Sequence, residues 1–347
     1  MSDLLLIAGG LVLLFIGGES LVRGSVGVAK RLGVSELVIG LTLVGFGTSM
    51  PELVTSLRAV QQDAVGLAIG NVAGSNIANV LLVLGVAALI KPIITNPAAL
   101  ARDTLVMIAA TLVFAALVYF DAFTRLAGGV LVAALVTYIL VSLIMDRGGK
   151  AAPGVMHAEE GALLQVEQGL LVSAVMAVLG MIGVVFGARF LVDGGSGLAT
   201  AMGVSETVIG LTIVAIGTSL PELATSAISA LRGKSDVALG NVLGSNVFNI
   251  LGVLGVTALV EPFSVMVPEP AATSIFNANV DPQGSVALPI LGWEDIGAVI
   301  LSVFLLVLFA FTGRKLARWE GAVLLCAYTL YMGMIAGVVP TPLGVEA

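Results

Sequence analysis

Apolar residues run in stretches of about 20 along this chain, separated by short clusters of Gly, Pro and charged residues, the length at which a helix crosses a hydrocarbon layer. Nowhere do they alternate with polar residues in the two-residue rhythm of a strand. The pattern predicts ten helices, at 4–28, 36–60, 64–90, 103–120, 125–145, 168–197, 206–231, 236–260, 295–312 and 317–338. Lipid cannot solvate backbone N–H and C=O groups, so a bilayer admits only helices and closed barrels. The expected class is an all-α membrane protein.

The polar clusters recur. Gly33–Pro92 lies on Gly203–Pro262 without a gap and with more than half of the positions identical. The first copy reads GVSELVIGLTLVGFGTSMPELVTS and then GLAIGNVAGSNIANVLLVLGVAALIKP; the second reads GVSETVIGLTIVAIGTSLPELATS and then VALGNVLGSNVFNILGVLGVTALVEP. The expected organisation is an N-terminal five-helix repeat at 1–145, a short cytoplasmic linker at 146–167 and a C-terminal five-helix repeat at 168–347. An odd number of crossings per half sends the second copy into the membrane from the opposite side, which makes an inverted-topology repeat whose two motifs meet near the midplane. The stretch 263–293 is an extended external loop with no counterpart of its length after Pro92.

Composition agrees with a bilayer. Of 347 residues 58% are hydrophobic and 11% charged, with a mean hydropathy of +1.11, whereas a soluble domain is about 25% charged. The net charge of −7 and the scattered basic residues exclude a nucleic-acid partner. Cys326 and His157 each stand alone, so there is neither a disulfide framework nor a His/Cys metal cluster. Met1–Phe15 has an acidic Asp3 and no basic leader, and reads as the start of the first helix. Lys30, Arg31, Lys91, Arg102, Arg147, Lys150, Arg232, Lys234, Arg314, Lys315 and Arg318 fall on one side, against Arg58 and Arg125 on the other. The basic side is cytoplasmic by the positive-inside rule, which puts both termini outside.

Two spans carry chemistry at their centres. Gly47-Thr48-Ser49-Met50-Pro51-Glu52 and Gly217-Thr218-Ser219-Leu220-Pro221-Glu222 each place Pro and Gly inside an apolar span, which breaks the helix and frees carbonyls beside hydroxyls and a carboxylate. An ionised Glu at the bilayer centre costs about 2.5–3.5 kcal/mol, so one in each copy points to a bound cation; the alternative is a protonated Glu bonded to a neighbouring helix. The following spans carry Gly70-Asn71 through Ser75-Asn76 with Asn79, and Gly240-Asn241 through Ser245-Asn246 with Asn249. Ser75 and Asn79 share a helix face, as do Ser245 and Asn249, and are expected to coordinate. Asn71, Asn76, Asn241 and Asn246 fit packing between helices and coordination equally well. Carboxylates, hydroxyls, amide oxygens and carbonyls form an all-oxygen set suited to a hard cation such as Ca2+ or Na+.

At these residues both copies resemble the alpha-repeats of the sodium/calcium exchanger family, prokaryotic type, whose signature is a GTSxPE segment followed by a GNxxGSN segment. The resemblance implies Ca2+ ligation by the Glu52 and Glu222 carboxylates with the main-chain carbonyls of Thr48 and Thr218. It implies flanking Na+ sites at Ser49, Ser75, Ser219, Ser245 and the carbonyls of Gly45 and Ala215, with Asn79 and Asn249 facing the centre. It implies a Ca2+/Na+ antiporter working by alternating access in a prokaryotic inner (plasma) membrane, with no cofactor and no obligatory protein partner. The first and sixth helices would be the sliding elements. Several members carry Asp where this chain has Asn249, which leaves H+ coupling as an alternative.

Charged pairs also align within the first and sixth helices, Glu19 with Arg189 and Arg23 with Asp193, and are expected to anchor structure. Ser35-Glu36 and Ser205-Glu206 look like N-terminal caps. An intramembrane protease lacks its base here, and a pump lacks a GxxxxGK loop. A passive channel is separated from an antiporter only by a requirement for counter-ion.

Overall fold

The computed structural model describes residues 2–61, 65–148, 168–201, 217, 219–267, 288–289 and 291–335. Helix α1 (Ser2–Leu32) is followed by α2 (Glu36–Thr48) and α3 (Met50–Gln61). Gly33 takes the left-handed conformation, φ 68°, that lets the chain leave α1, and Ser35 caps α2 by accepting from the Val38 N–H at 3.2 Å. Between α2 and α3 the axis bends by 43° at Ser49, φ −88° and ψ 9°. Pro51 lies in the first turn of α3, where its missing N–H costs α3 nothing but leaves the Gly47 carbonyl without its helical partner.

Next come α4 (Val65–Ile90), α5 (Pro97–Tyr119) and α6 (Arg125–Gly148). The fourth predicted helix starts at Pro97 rather than 103, because proline suits a first helical turn and its charged neighbours Arg102 and Asp103 pair with each other at 2.7 Å. The second half runs through α7 (Leu170–Ala201), α8 (Leu220–Leu231), α9 (Ser235–Val260), α10 (Trp293–Thr312) and α11 (Arg318–Ile335). Ser219 before α8 repeats the backbone of Ser49, φ −88° and ψ 3°. The linker residues 149–167, the first part of the seventh predicted helix at 206–216, and loop residues 268–287 lie outside the described residues. Two short antiparallel pairs tie the ends: β1 (Ile93–Ile94) with β4 (Lys315–Leu316), and β2 (Met266–Val267) with β3 (Leu288–Pro289).

Among the described residues seven helices are long and apolar enough to cross a membrane, and eight if the bent pair α2–α3 counts as one span. α8 and α11 stand where helices are expected without meeting that test. Large apolar residues such as Leu5, Phe15, Leu126, Ile144, Leu171 and Leu179 are exposed on α1, α6 and α7, the outer face of a molecule whose solvent is lipid. α4 and α9 form the centre, with 72% and 89% of their spans buried. Both contain a widened π-helical turn, Asn79–Leu84 and Phe248–Leu254, an insertion that re-aims side chains and that no apolar pattern discloses.

Close approach between helices is glycine-made. α1 and α7 pack antiparallel with glycines seven residues apart on each: a Cβ on Gly10 would sit 2.8 Å from the Gly187 oxygen, one on Gly17 2.7 Å from the Val184 nitrogen, and one on Gly24 2.4 Å from the Ala177 nitrogen. The second seam joins the two copies. Gly40 and Gly45 on α2 meet Gly240 and Gly244 on α9, and a Cβ on Gly244 would sit 2.2 Å from the Leu41 carbonyl oxygen.

Candidate functional site

The α2–α9 seam brings the first copy's break against the second copy's GNxxGSN segment. Ser245 Oγ donates to the Gly45 carbonyl at 3.0 Å, and Thr48 Oγ1 donates to Asn241 Oδ1 at 3.2 Å as well as lying within reach of the Val44 and Gly45 carbonyls. α7 covers the equivalent glycines of both copies: Met181 lies against Gly47 and Val192 against Gly217, so close that any Cβ at either glycine would overlap them.

Glu52 and Glu222 sit in the first turns of α3 and α8, each 1% exposed. Ser49 Oγ donates to Glu222 Oε1 at 3.0 Å, a bond from one copy to the other. Glu52 Oε2, Glu222 Oε2 and Ser219 Oγ are buried with no partner among the described residues. Two carboxylate oxygens and a hydroxyl buried without such partners are costly to a protein alone, and a bound cation is one group able to satisfy the oxygens. A carboxylate presents acceptors only, so the set suits a hard cation.

Asn71 and Asn241 do similar work in the two copies. Asn71 Nδ2 donates to the Glu52 carbonyl at 3.3 Å and to Ser56 Oγ at 3.0 Å; Asn241 Nδ2 donates to the Glu222 carbonyl at 3.2 Å and to Ser226 Oγ at 2.9 Å. Sequence left these residues open between packing and coordination. Here their amide nitrogens hold the backbone of the glutamates, and the paired occurrence of the same Asn in both copies was the available signal. Four turn-positioned polar residues, Ser75, Asn79, Ser245 and Asn249, are buried in α4 and α9. Asn79 Nδ2 donates to Asn246 Oδ1 at 3.0 Å, while Asn79 Oδ1 and both polar atoms of Asn249 have no partner among the described residues. Of the twelve expected ligands, Glu52, Glu222, Thr48, Ser49, Ser219, Ser75, Ser245, Asn79, Asn249 and Gly45 are thus buried within α2–α4, α8 and α9 and at the residues just before α3 and α8, whereas Thr218 and Ala215 lie outside the described residues.

Charges lie at the margin. Glu19 on α1 takes Arg23 on its own helix and Arg232 at the end of α8, the latter with both nitrogen contacts at 2.7 Å, so the pairing is both within and across helices. Arg189 and Asp193 are looser, at 3.8 Å and exposed. Glu36 doubles as a cap-proximal acid and the partner of Lys234 at 2.9 Å. Ser205 and Glu206 lie outside the described residues.

Residues 2–144 and 172–337 match the model of the sodium/calcium exchanger protein family. A putative antiporter, CaxA, of Alkalimonas amylolytica is 35% identical over 94% of this chain and 96% of its own. The sodium/calcium exchanger MaX1 of Methanosarcina acetivorans is 34% identical over 93% of this chain and 95% of its own. Among solved structures, the sodium-calcium exchanger NCX_Mj superposes with a TM-score of 0.76 at 33% identity, over 97% of this chain and 98% of that one. An integral membrane chain with two motif copies converging on buried acceptors, matched along nearly its whole length, belongs to the sodium/calcium exchanger family.

Proposed function

We propose that this protein is a secondary active antiporter that exchanges Ca2+ for Na+ by alternating access, with one cavity serving both ions. The observation that carries the reading is the pair of buried carboxylates, Glu52 and Glu222, each with an oxygen that no group among the described residues satisfies. Two ionised glutamates neutralise one Ca2+, and several Na+ sharing the same oxygens neutralise them equally, so the two loads exclude each other. Mutual exclusion is what couples the fluxes.

The ligand set is the one expected from sequence: Glu52, Glu222 and the Thr48 and Thr218 carbonyls around Ca2+, with Ser49, Ser75, Ser219, Ser245 and the Gly45 and Ala215 carbonyls at flanking Na+ positions. Asn79 and Asn249 face the centre. The architecture that serves this is ten spans in two inverted five-helix repeats, divided at 1–145 and 168–347 about the cytoplasmic linker, with both termini outside a prokaryotic inner membrane. The glycine seam between α1 and α7 supports their moving together as one body against the rest.

Uptake of radiolabelled Ca2+ into proteoliposomes tests the reading. Uptake that needs internal Na+ is the expected result. Uptake driven by a proton gradient alone would replace Na+ by H+, the coupling that a neutral Asn249 leaves open. Uptake that persists without any counter-ion gradient, dissipating only the Ca2+ gradient, would make the protein a channel and overturn antiport.

A further inference from the structure

The two copies treat their asparagines differently. Asn246 on α9 is 1% exposed, and its Nδ2 faces the Asn76 main-chain carbonyl at 3.4 Å and Met107 Sδ at 3.8 Å. Both neighbours are acceptors only, so this end of the amide must be the NH2 group. Its Oδ1 is thereby turned to Asn79 and accepts from Asn79 Nδ2 at 3.0 Å. Asn79 has then committed its nitrogen, and the end left over is an oxygen, buried and without a partner among the described residues. A backbone carbonyl on α4 thus sets the polarity of two amides in series. Were Asn246 reversed, its oxygen would face the Asn76 carbonyl and Asn79 would have to offer its oxygen to Asn246, leaving an NH2 group as the free end.

The equivalent relay in the other direction is not made. Asn76 and Asn249 are the symmetry counterparts of Asn246 and Asn79, yet neither polar atom of either side chain has a partner among the described residues. We propose that Asn246 is a positioning residue that locks the Asn79 amide with its oxygen presented to the transported cation, and that Asn76 gives Asn249 no such lock. The cavity then has one fixed and one turnable amide ligand: Asn79 always offers an acceptor, while Asn249 offers oxygen to a cation or nitrogen to a water oxygen. This rests on the cation site proposed above, and it assigns the repeated Asn of the GNxxGSN segments unequal roles that their identical sequence conceals.

The test measures Ca2+ KM and maximal rate of Na+-driven uptake in proteoliposomes for Asn246→Leu, Asn76→Leu, Asn79→Ala and the Asn79→Ala/Asn246→Leu double variant. Leu keeps the packing volume while removing both polar ends. Partners that orient a metal ligand typically affect affinity by about 10–100-fold, so Asn246→Leu should raise the Ca2+ KM at least roughly tenfold with the maximal rate within about twofold. Asn76→Leu should leave KM within about twofold, and Asn246→Leu should add less than about twofold in the Asn79→Ala background, because a residue acting through Asn79 has nothing left to act on. Additive effects in the double variant, an equal KM change in Asn76→Leu, or a loss of rate without a change in KM would each overturn the proposal and return Asn246 to polar packing. If Asn79→Ala lowers Ca2+ affinity while Asn246→Leu does not, positioning fails alone; if Asn79→Ala leaves Ca2+ affinity intact, the proposed ligand set fails with it. Should Asn246→Leu not insert, Asn246→Ala carries the same expectations, read by equilibrium Ca2+ binding to purified protein.

Discussion

The GTSMPE segment of the first copy and the GTSLPE segment of the second differ at one position, yet their serines meet different fates. Ser49 spends its proton on Glu222 across the interface, while Ser219 Oγ is buried with no partner among the described residues. Backbone angles at the two serines are nearly the same, so the difference is not local. It arises where the copies meet, because the partners that each half-site finds on the other copy need not be the same. Near-identical sequence therefore fixes a shared inventory of donors and acceptors, and the packing of one copy on the other decides which of them are spent on protein.

The largest effect should come from the groups the two copies share. Glu52→Gln and Glu222→Gln should each cut Na+-driven Ca2+ uptake by more than the about 10–100-fold typical of outer partners, while the protein still inserts and elutes as a single species. Wild-type rates in a well-inserted Glu52→Gln protein would mean that one carboxylate suffices and that the copies differ far more than their hydrogen bonds suggest.

The seam between the copies comes next. Gly244→Ala places a methyl 2.2 Å from the Leu41 carbonyl oxygen, which cannot rotate away, so the backbones must part. A cost of about 1–3 kcal/mol is expected, read as a lower thermal midpoint, together with a loss of transport. Gly9→Ala on α1 is the control: its Cβ would meet nothing within 4 Å, and replacing a helical glycine there should leave stability unchanged or raise it by up to about 1 kcal/mol. Equal midpoints for the two variants would show that α2 and α9 do not touch as described.

Smaller and more discriminating is the serine pair itself. Ser49→Ala strips Glu222 Oε1 of its 3.0 Å donor and should destabilise the ion-free protein by about 1–3 kcal/mol, the cost of a buried acceptor left unsatisfied. Ser219→Ala removes a hydroxyl that bonds nothing among the described residues, so ion-free stability should hold while ion affinity falls. Thermal midpoints without and with Ca2+ separate the two, and identical behaviour would erase the asymmetry. Smallest is the response to pH: protons compete with Ca2+ for Glu52 and Glu222, so uptake should fall several-fold between pH 8 and pH 5 and recover at higher Ca2+. Inhibition that excess Ca2+ cannot relieve would place the titrating group elsewhere.

Much was legible in the chain before any coordinates. Long apolar runs with almost no charge leave only helices in lipid, and the helices described here stand where those runs predict them, with α5 beginning earlier at Pro97. The Pro51 step announced the bend between α2 and α3, since a proline ring cannot continue a helical ladder, and Pro221 stands at the same place in the first turn of α8. The glutamates are the sequence signal for the cation site proposed above, since an ionised carboxylate inside a bilayer is costly without a partner. Hidden from sequence were the π-helical turns at Asn79–Leu84 and Phe248–Leu254, which depend on an inserted residue rather than on any residue type. Also hidden was the division of labour among asparagines: an amide reads the same whether it braces a backbone, as Asn71 and Asn241 do, or keeps an oxygen free, as Asn79 does.

The sequence by itself determined the inventory and the apolar spans that carry it: periodicity and hydropathy act through local backbone geometry and transfer from water, which each segment carries with it. Only the tertiary structure decided the polarity of the amides and the pairing of Ser49 with Glu222. Those depend on which acceptor from a distant part of the chain stands opposite each donor, and a backbone carbonyl such as that of Asn76 carries no signature in the residue code.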